Sequence, residues 1–410
     1  MSDQVVVIGG GPAGAMAALR ARERGMNVML LEATPRLFNK LRISGKGRCN
    51  LTNAADRQAF LSQIVHGGRF FQSAFYAFDN HALMVWVESL GVPLKVERGL
   101  RVFPQSDRAH DVADALTQAL ADAGVKVRYR ARVQSIDCKD NRVIGVTLRD
   151  GHHIPCGACV LATGGKSYPV TGSTGDGYAL AQVCGHTVTP LHASLAPIST
   201  VETWMHEVQG LSLKNVQLTA FREQKRVYRE QGEMLFTDKG VSGPLVLSAS
   251  VHLDETQACE LSIDLKPALS SEQLDARVQR DLQQSSNRSF QNGIAGLFPR
   301  SLVPVMVRLS GIDPEKPCHQ VTKSERRAFV SGIKDVRLHV QRIGPVEAAI
   351  VTRGGIELRE VTPKTMRSKV MENLSLCGEV LDLDAYTGGF NLQIAFSTGY
   401  AAGSFCEIIK

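Results

Sequence analysis

Residues 5–14 of the chain run Val-Val-Val-Ile-Gly-Gly-Gly-Pro-Ala-Gly, and Glu32 stands eighteen positions past Gly14, closing a second apolar run. A buried strand, a glycine turn, a helix and a strand ending in a carboxylate form the order of a parallel βαβ unit, which leaves the fold little freedom. In that unit Gly9 allows the tight turn, Gly11 lets backbone approach a pyrophosphate, and Gly14 lets the helix lie close on the sheet. The helix, opened by Pro12 and Ala13, presents unpaired N–H groups and a positive dipole end to phosphate. Glu32 can accept both hydroxyls of an adenosine ribose and would repel a 2′-phosphate. The expectation is an α/β chain whose first domain is Rossmann-like and binds a dinucleotide.

The chain's 410 residues, 43% of them hydrophobic, can bury a large core and point to two or three domains. The fingerprint starts almost at the first residue, so no targeting peptide is expected before it. No run approaches the roughly eighteen uninterrupted apolar residues of a membrane span. Nine cysteines, an odd number without a regular framework, predict a reducing, cytoplasmic setting rather than disulfides. A net charge of +7 is compatible with a polyanionic partner.

Helical spacing covers 12–25, with the next strand at Val28–Leu31, and helices are expected at 56–64, 70–90 and 108–123. The runs Val125–Tyr129, Arg132–Asp137 and Val143–Leu148 predict a β-meander turning at Asp140-Asn141, and Ala158–Ala162 a buried strand. From about Leu191 the texture changes. Val216–Phe221 and Leu261–Leu265 alternate with period two, whereas 271–335 is polar and helical, with Ser- and Gln-rich joints at 283–289. Strands return after Val336 and glycine-rich turns near Val351. This order predicts one nucleotide-binding domain, 1–190 with 345–410, split by an inserted domain at 191–344. Within the insertion, 191–268 and 336–344 are expected to be mainly β and 269–335 mainly helical, with hinges near 190 and 345.

A second chemical stretch runs from Lys40 to Asn53. Ser44, Gly45 and Gly47 would let backbone approach a flat or phosphorylated ligand; Arg42, Lys46 and Arg48 supply charge, and Asn50, Thr52 and Asn53 hydrogen bonds. A solvated basic loop is the plainer alternative. Two further stretches follow, Leu161-Ala-Thr-Gly-Gly165 after a buried strand, and Cys377-Gly-Glu-Val-Leu-Asp382 with Tyr386-Thr-Gly-Gly-Phe-Asn-Leu-Gln393 leading into an apolar helix.

Together these stretches resemble the BaiN/RdsA-type NAD(P)/FAD-dependent oxidoreductases, flavoproteins with a glutathione-reductase-like domain and an insertion. The resemblance spans nearly the whole chain. It rests on Gly9–Gly14, Ile43–Asn53, Ala162–Gly165, Tyr168–Tyr178, Leu235–Pro244, Thr352–Gly355, Pro363–Met366 and Gly378–Gly403. It implies FAD as cofactor, with Glu32 on the adenosine ribose and Ala162, Thr163 and Gly164 beside the adenine half. Lys40 and the loop carrying Ser44, Gly45, Gly47, Arg48, Cys49 and Asn50 would line the flavin. Gly378, Glu379 and Asp382 would meet the ribityl chain and phosphates. Gly388, Gly389, Phe390, Asn391 and Leu392 would aim helix N–H groups at the pyrimidine edge, where reduced flavin is anionic. Two departures are visible: Lys46 replaces a usual third glycine of the loop, and Asp238 stands where relatives often carry histidine, so it receives no catalytic role. No second strand–GxGxxG–helix unit exists; Gly172–Gly177 comes nearest but lacks the order, and is expected to wrap the flavin or position a helix. NADH or NADPH would therefore dock transiently at the flavin face.

The family is linked to ribosomal RNA dihydrouridine synthesis, bile-acid reduction and aminoacetone oxidation. The first two share hydride delivery to an activated C=C with a proton to the adjacent carbon. Reduction of uridine in ribosomal RNA is the favoured expectation, carried by the clusters Arg128/Arg130/Arg132, Arg222/Lys225/Arg226/Arg229, Arg326/Arg327/Lys334/Arg337 and Lys364/Arg367/Lys369. A small-metabolite oxidase or reductase, and an RNA-binding protein with structural FAD, are the alternatives. Cys49 is the first candidate proton donor, although packing the loop is the commoner role of such a residue; Tyr168, Tyr386 and Asp384 are weaker candidates. Cys156-Gly-Ala-Cys159 leads into a buried strand and has no partner pair, and the histidines lack ligand spacing, so no metal is expected. Ser242-Gly-Pro244 lacks a nucleophile-elbow frame, which argues against a hydrolase.

Overall fold

A computed structural model describes residues 2–254 and 256–408. The chain divides into two compact units, one made of the residues up to Ser194 together with those from Val346 on, the other of Leu195–Pro345.

The core of the first unit is a parallel sheet in the order Leu374–Leu376, Ala158–Leu161, Gln4–Ile8, Asn27–Leu31, Lys126–Arg128. Val5, Val6 and Val7 are fully buried because both faces of this central strand are covered, so the sequence reads as a continuous apolar run. The helix Pro12–Glu23 crosses from the first strand to Asn27–Leu31 and packs along its length on the C-terminal helix Phe390–Phe405. Small residues make that contact possible: Ala13 and Ala17 on one helix face Gly399 and Gly403 on the other.

Several local expectations shift. The segment Lys126–Arg128 joins the edge of the parallel sheet instead of a meander, because its partner is Asn27–Leu31 and apolar alternation does not encode strand direction. The antiparallel sheet contains Val133–Lys139, Arg142–Leu148 and His153–Pro155. The 70–90 helix is two helices, Gly68–Ala77 and Asn80–Ser89, broken where the Asp79 carboxylate accepts the Ala82 N–H as an N-cap. The 56–64 helix stops at Leu61, and Ile64–His66 forms a short strand against Asp384–Ala385.

The second unit contains a closed antiparallel barrel in the order 198–200, 240–242, 225–237, 212–222, 259–264, 336–343. Its period-two segments bury one face, with Val216, Leu218 and Ala220 inside. The helices Ser271–Gln284, Val303–Ser310 and Lys323–Lys334 follow, the first and last each opened by a complete capping box. The architecture is thus the expected Rossmann-like α/β domain with an antiparallel-β and helical insertion.

Candidate active site: a dinucleotide cavity in the first unit

At the carboxyl ends of the parallel strands lies an elongated cavity holding about 1430 Å³ of free space, solvent at its mouth included. Gly9 turns the chain away from the first strand with φ +110°, and a Cβ there would meet the Ala162 carbonyl at 2.4 Å. Gly11 has the opposite surroundings: nothing lies within 4 Å of where its Cβ would be. It caps the first helix without any side-chain partner, leaving the helix N–H groups open to the cavity.

Glu32 is held by two backbone donors, Gly10 N–H to Oε2 at 2.9 Å and Thr34 N–H to Oε1 at 2.7 Å. Further along the wall, Lys40 Nζ donates to Glu379 Oε2 (2.7 Å) and to Ser167 Oγ (2.6 Å). Glu379 Oε1 in turn accepts from Ser167 (3.1 Å) and from the Thr352 N–H (2.9 Å). Four chain segments are locked together by this one ion pair.

Fourteen of the residues anticipated for the cofactor line the cavity: Gly9, Gly11, Pro12, Ala13, Glu32, Lys40, Ser44, Ala162, Thr163, Gly164, Gly378, Glu379, Asn391 and Leu392. The others are placed outside the lining. Gly14 packs its helix on the sheet, its Cα side facing the Gly9 carbonyl. The loop after Ser44 folds on itself, breaking the helix Asn39–Gly47 at Ser44, Gly45 and Lys46. Two of the cations of the Lys40–Asn53 stretch are engaged locally, while Lys46 is exposed. Arg48 pairs with Glu97 and Asp107 and stacks on the Phe103 ring at 4.2 Å, and Arg42 meets Asp114 and His110, both at 2.7 Å. Gly47 shares that turn, and Asn50, with its amide oxygen turned inward, accepts the Gly389 N–H at 3.0 Å. Gly388 is tied to Asn53 through its carbonyl (3.1 Å), and Phe390 packs edge-on against Phe60. Asp382 holds a neighbouring turn, accepting from Gly354 N–H (3.0 Å) and Thr189 Oγ1 (3.2 Å).

Cys49 is fully buried within that folded loop. Burial pushes its thiol up to about 12. The thiol lies outside the cavity lining and hydrogen-bonds Ser44, which belongs to it, so packing the loop is the role its burial supports. Cys49→Ala is expected to keep flavin content and turnover within about threefold. Wild-type Cys49 should resist alkylation at pH 8 while the exposed Cys138 reacts; rapid labelling of Cys49 would contradict the burial.

The sequence reading missed several lining residues, among them Arg36 and Arg132, the latter paired with Asp176 at 2.8 Å. Arg132 was visible only as one cation among others, and its partner lies 44 residues away. Gly172, Ser173, Thr174 and Asp176 of the Gly172–Gly177 segment do line the cavity, with Thr171 just before it, and the segment also opens the helix Asp176–Val183.

A Rossmann sheet whose glycine turn, open helix N-terminus and ribose-type carboxylate border one long cavity defines the class of FAD-dependent oxidoreductases. The model of the family described as HI0933-like protein Rossmann domain matches residues 3–405, and the chain belongs to that family. It is 30% identical to the 3-dehydro-bile acid delta(4,6)-reductase of Clostridium scindens, over 98% of both chains. It is also 30% identical to the ribosomal RNA dihydrouridine synthase of Escherichia coli, over 97% of this chain and 96% of that one. Among solved structures, the 3-ketosteroid-delta4-(5alpha)-dehydrogenase of Rhodococcus jostii shares the fold, with a TM-score of 0.53 and 16% identity over 98% of this chain and 95% of that one.

The residues present fit FAD. The open helix N-terminus can take the pyrophosphate, Gly11 leaves room for it beside the turn, and Glu32 stands on the same wall as an acceptor for ribose hydroxyls. Among the described residues no helix is long and apolar enough to cross a membrane.

Proposed function

We propose that this oxidoreductase draws electrons from NADH or NADPH and reduces a C=C bond conjugated to a carbonyl, with uridine in ribosomal RNA as substrate. The observation that carries the reading is the pair of full-length relatives at equal identity. One is named a delta(4,6)-reductase and the other a dihydrouridine synthase, and both names describe hydrogen added across a double bond. Bound FAD would supply the hydride. The chain's own residues then have definable tasks: Glu32 takes the adenosine ribose hydroxyls, and the Gly9–Gly14 turn and first helix hold the pyrophosphate. Asn391 and Leu392, in the first turn of the C-terminal helix, bring its positive dipole end to the pyrimidine edge.

Charge favours RNA over a small metabolite. Part of most cationic clusters is neutralised within the fold: Arg326 pairs with Asp275, Lys334 with Asp264, Arg337 with Glu260 and Asp335, and Arg367 with Glu407, whereas Arg130, Arg327, Lys364 and Lys369 are exposed with no carboxylate at ion-pair distance among the described residues. The hairpin formed by Ser212–Arg222 and Lys225–Thr237 adds two more such cations, adjacent in sequence. Lys225 and Arg226 are exposed at its tip and, among the described residues, have no carboxylate at ion-pair distance. Uncompensated cations on a protruding hairpin suit phosphate contacts, whose strength falls steeply with salt.

The decisive experiment is anaerobic. NADH or NADPH is added to FAD-loaded protein and flavin absorbance is followed, with and without unmodified ribosomal RNA. Bleaching, then RNA-dependent return of colour with dihydrouridine in the RNA, is expected; reoxidation only by oxygen or small enones would replace the RNA reading with a metabolite enzyme. The double change Lys225→Glu with Arg226→Glu should leave bleaching unaltered. It should cut RNA-dependent reoxidation at least about tenfold and lower the salt slope by about two.

A further inference from the structure

Asp384 is fully buried, and the reading above gives it no task. Its Oδ1 lies 2.5 Å from His66 Nδ1, and its Oδ2 accepts the Ser194 hydroxyl at 2.5 Å. The three residues are far apart in sequence and meet through two short antiparallel pairings, Asp384 opposite His66 and Ser194 opposite Val351. Both pairings adjoin the cavity wall, whose lining stops short of His66 itself. Val351 lines the cavity, as do Leu383, which precedes Asp384, and Asn391, whose amide clamps both backbone groups of Ala385. Within the cluster only the histidine reaches the open: its side chain is 39% exposed, that of Asp384 0%.

A carboxylate sealed from water requires donors on its oxygens. Ser194 supplies one to Oδ2, and the other must come from Nδ1 of His66, so that nitrogen keeps its proton. Nε2 is then the nitrogen that gains and loses protons, on a ring held in one orientation. The serine is not a nucleophile here, since it is fully buried and points at the carboxylate.

We infer that His66 is the proton donor of the reduction and that Asp384 and Ser194 are positioning residues acting through it; this rests on the double-bond reading above. With bound FAD supplying hydride to the carbon remote from the carbonyl, the π pair would move to the neighbouring carbon, which would take the proton from His66 Nε2 as that N–H bond breaks. The ring is left neutral, with Nδ1–H still on Asp384, and regains its proton from solvent through its exposed edge. The substrate gains two electrons and two hydrogens, which the cofactor and His66 supply between them. This role replaces the one expected of Cys49.

The holoenzyme and its His66→Gln, Asp384→Asn, Asp384→Glu and His66→Gly variants test the inference. Bleaching by NAD(P)H should stay within about threefold in all of them. Reoxidation by unmodified ribosomal RNA, with a simple cyclic enone as second probe, should slow by about a hundredfold or more in His66→Gln and lose the high-pH limb of its rate profile. Free imidazole should restore His66→Gly, and Asp384→Glu should retain more activity than Asp384→Asn. A spectroscopic readout stands apart from turnover: long-range proton–nitrogen spectra of histidine-labelled protein, with His66 assigned by its loss in His66→Gln, should show Nδ1 protonated in the neutral ring. Wild-type reoxidation rates in His66→Gln, or an Nε2–H neutral tautomer, would overturn the inference alone. If neither probe reoxidises the wild-type flavin, the functional reading fails and the inference falls with it.

Discussion

Glu32→Ala is expected to weaken FAD binding about a hundredfold, the largest effect of any single side chain in the cavity. The substitution removes two kinds of contact at once. The ribose hydroxyls lose their acceptor, and the N–H groups of Gly10 and Thr34, now satisfied by the two carboxylate oxygens, lose theirs. Each part-buried donor left unpaired costs about 1–3 kcal/mol, and a hundredfold loss corresponds to about 2.7 kcal/mol, so the expectation is conservative. Glu32→Gln keeps one acceptor oxygen and should lose only about tenfold. Titrating apoprotein with FAD by flavin fluorescence measures both. An affinity for Glu32→Ala within threefold of wild type would mean that the glycine turn holds its shape unaided and that Glu32 does not touch the ribose.

Gly399→Val should lower the unfolding free energy of the first unit by about 3 kcal/mol or more. A Cβ at Gly399 would lie 2.3 Å from the Ala13 carbonyl oxygen, and one at Gly403 would lie 2.2 Å from that of Ala17. The obstacle is backbone on a helix that also packs on the sheet, so it cannot move aside as a flexible side chain would. Ala13 lines the cavity, so any displacement of the first helix reaches the phosphate site, and purified Gly399→Val should carry little FAD. Gly332 supplies the contrast. It is exposed within the helix Lys323–Lys334, nothing lies within 4 Å of its Cβ position, and Gly332→Ala should stabilise by about 0.5–1 kcal/mol. Urea unfolding of the two variants should give opposite signs. Two destabilised proteins would show that helix propensity, not helix contact, was misjudged.

The parts of the site that were legible in the sequence are those whose chemistry is local. The glycine turn, the helix start and the carboxylate at the next strand end occur in order within Gly9–Glu32, and each residue type follows from its own neighbours. The Lys40–Asn53 loop was legible only by composition. Its arginines looked available because Glu97, Asp107, His110 and Asp114, which engage them, sit 49 to 72 positions downstream. Cys49 illustrates the same limit: a thiol between two polar residues gives no sign that the loop will close over it. The break at Phe78-Asp79 could have been read, since an aspartate three residues before Ala82 is an ordinary N-cap signal. His66 could not. Its partner is 318 positions away, and no periodicity links a three-residue strand to a two-residue one.

The sheet order carries a consequence for biosynthesis. The strand Leu374–Leu376 pairs with Ala158–Leu161, and the cavity wall is completed by Asn391 to Ala395 on the last helix, after the whole insertion has been made. A ribosome therefore releases the glycine turn and Glu32 early but withholds the opposite wall until the insertion has been made. Until then the Ala158–Leu161 strand has one bare edge, the kind of surface that recruits stray strands. Cofactor capture must wait for the insertion to be made, so flavin content becomes a direct measure of how many chains passed that point and closed correctly.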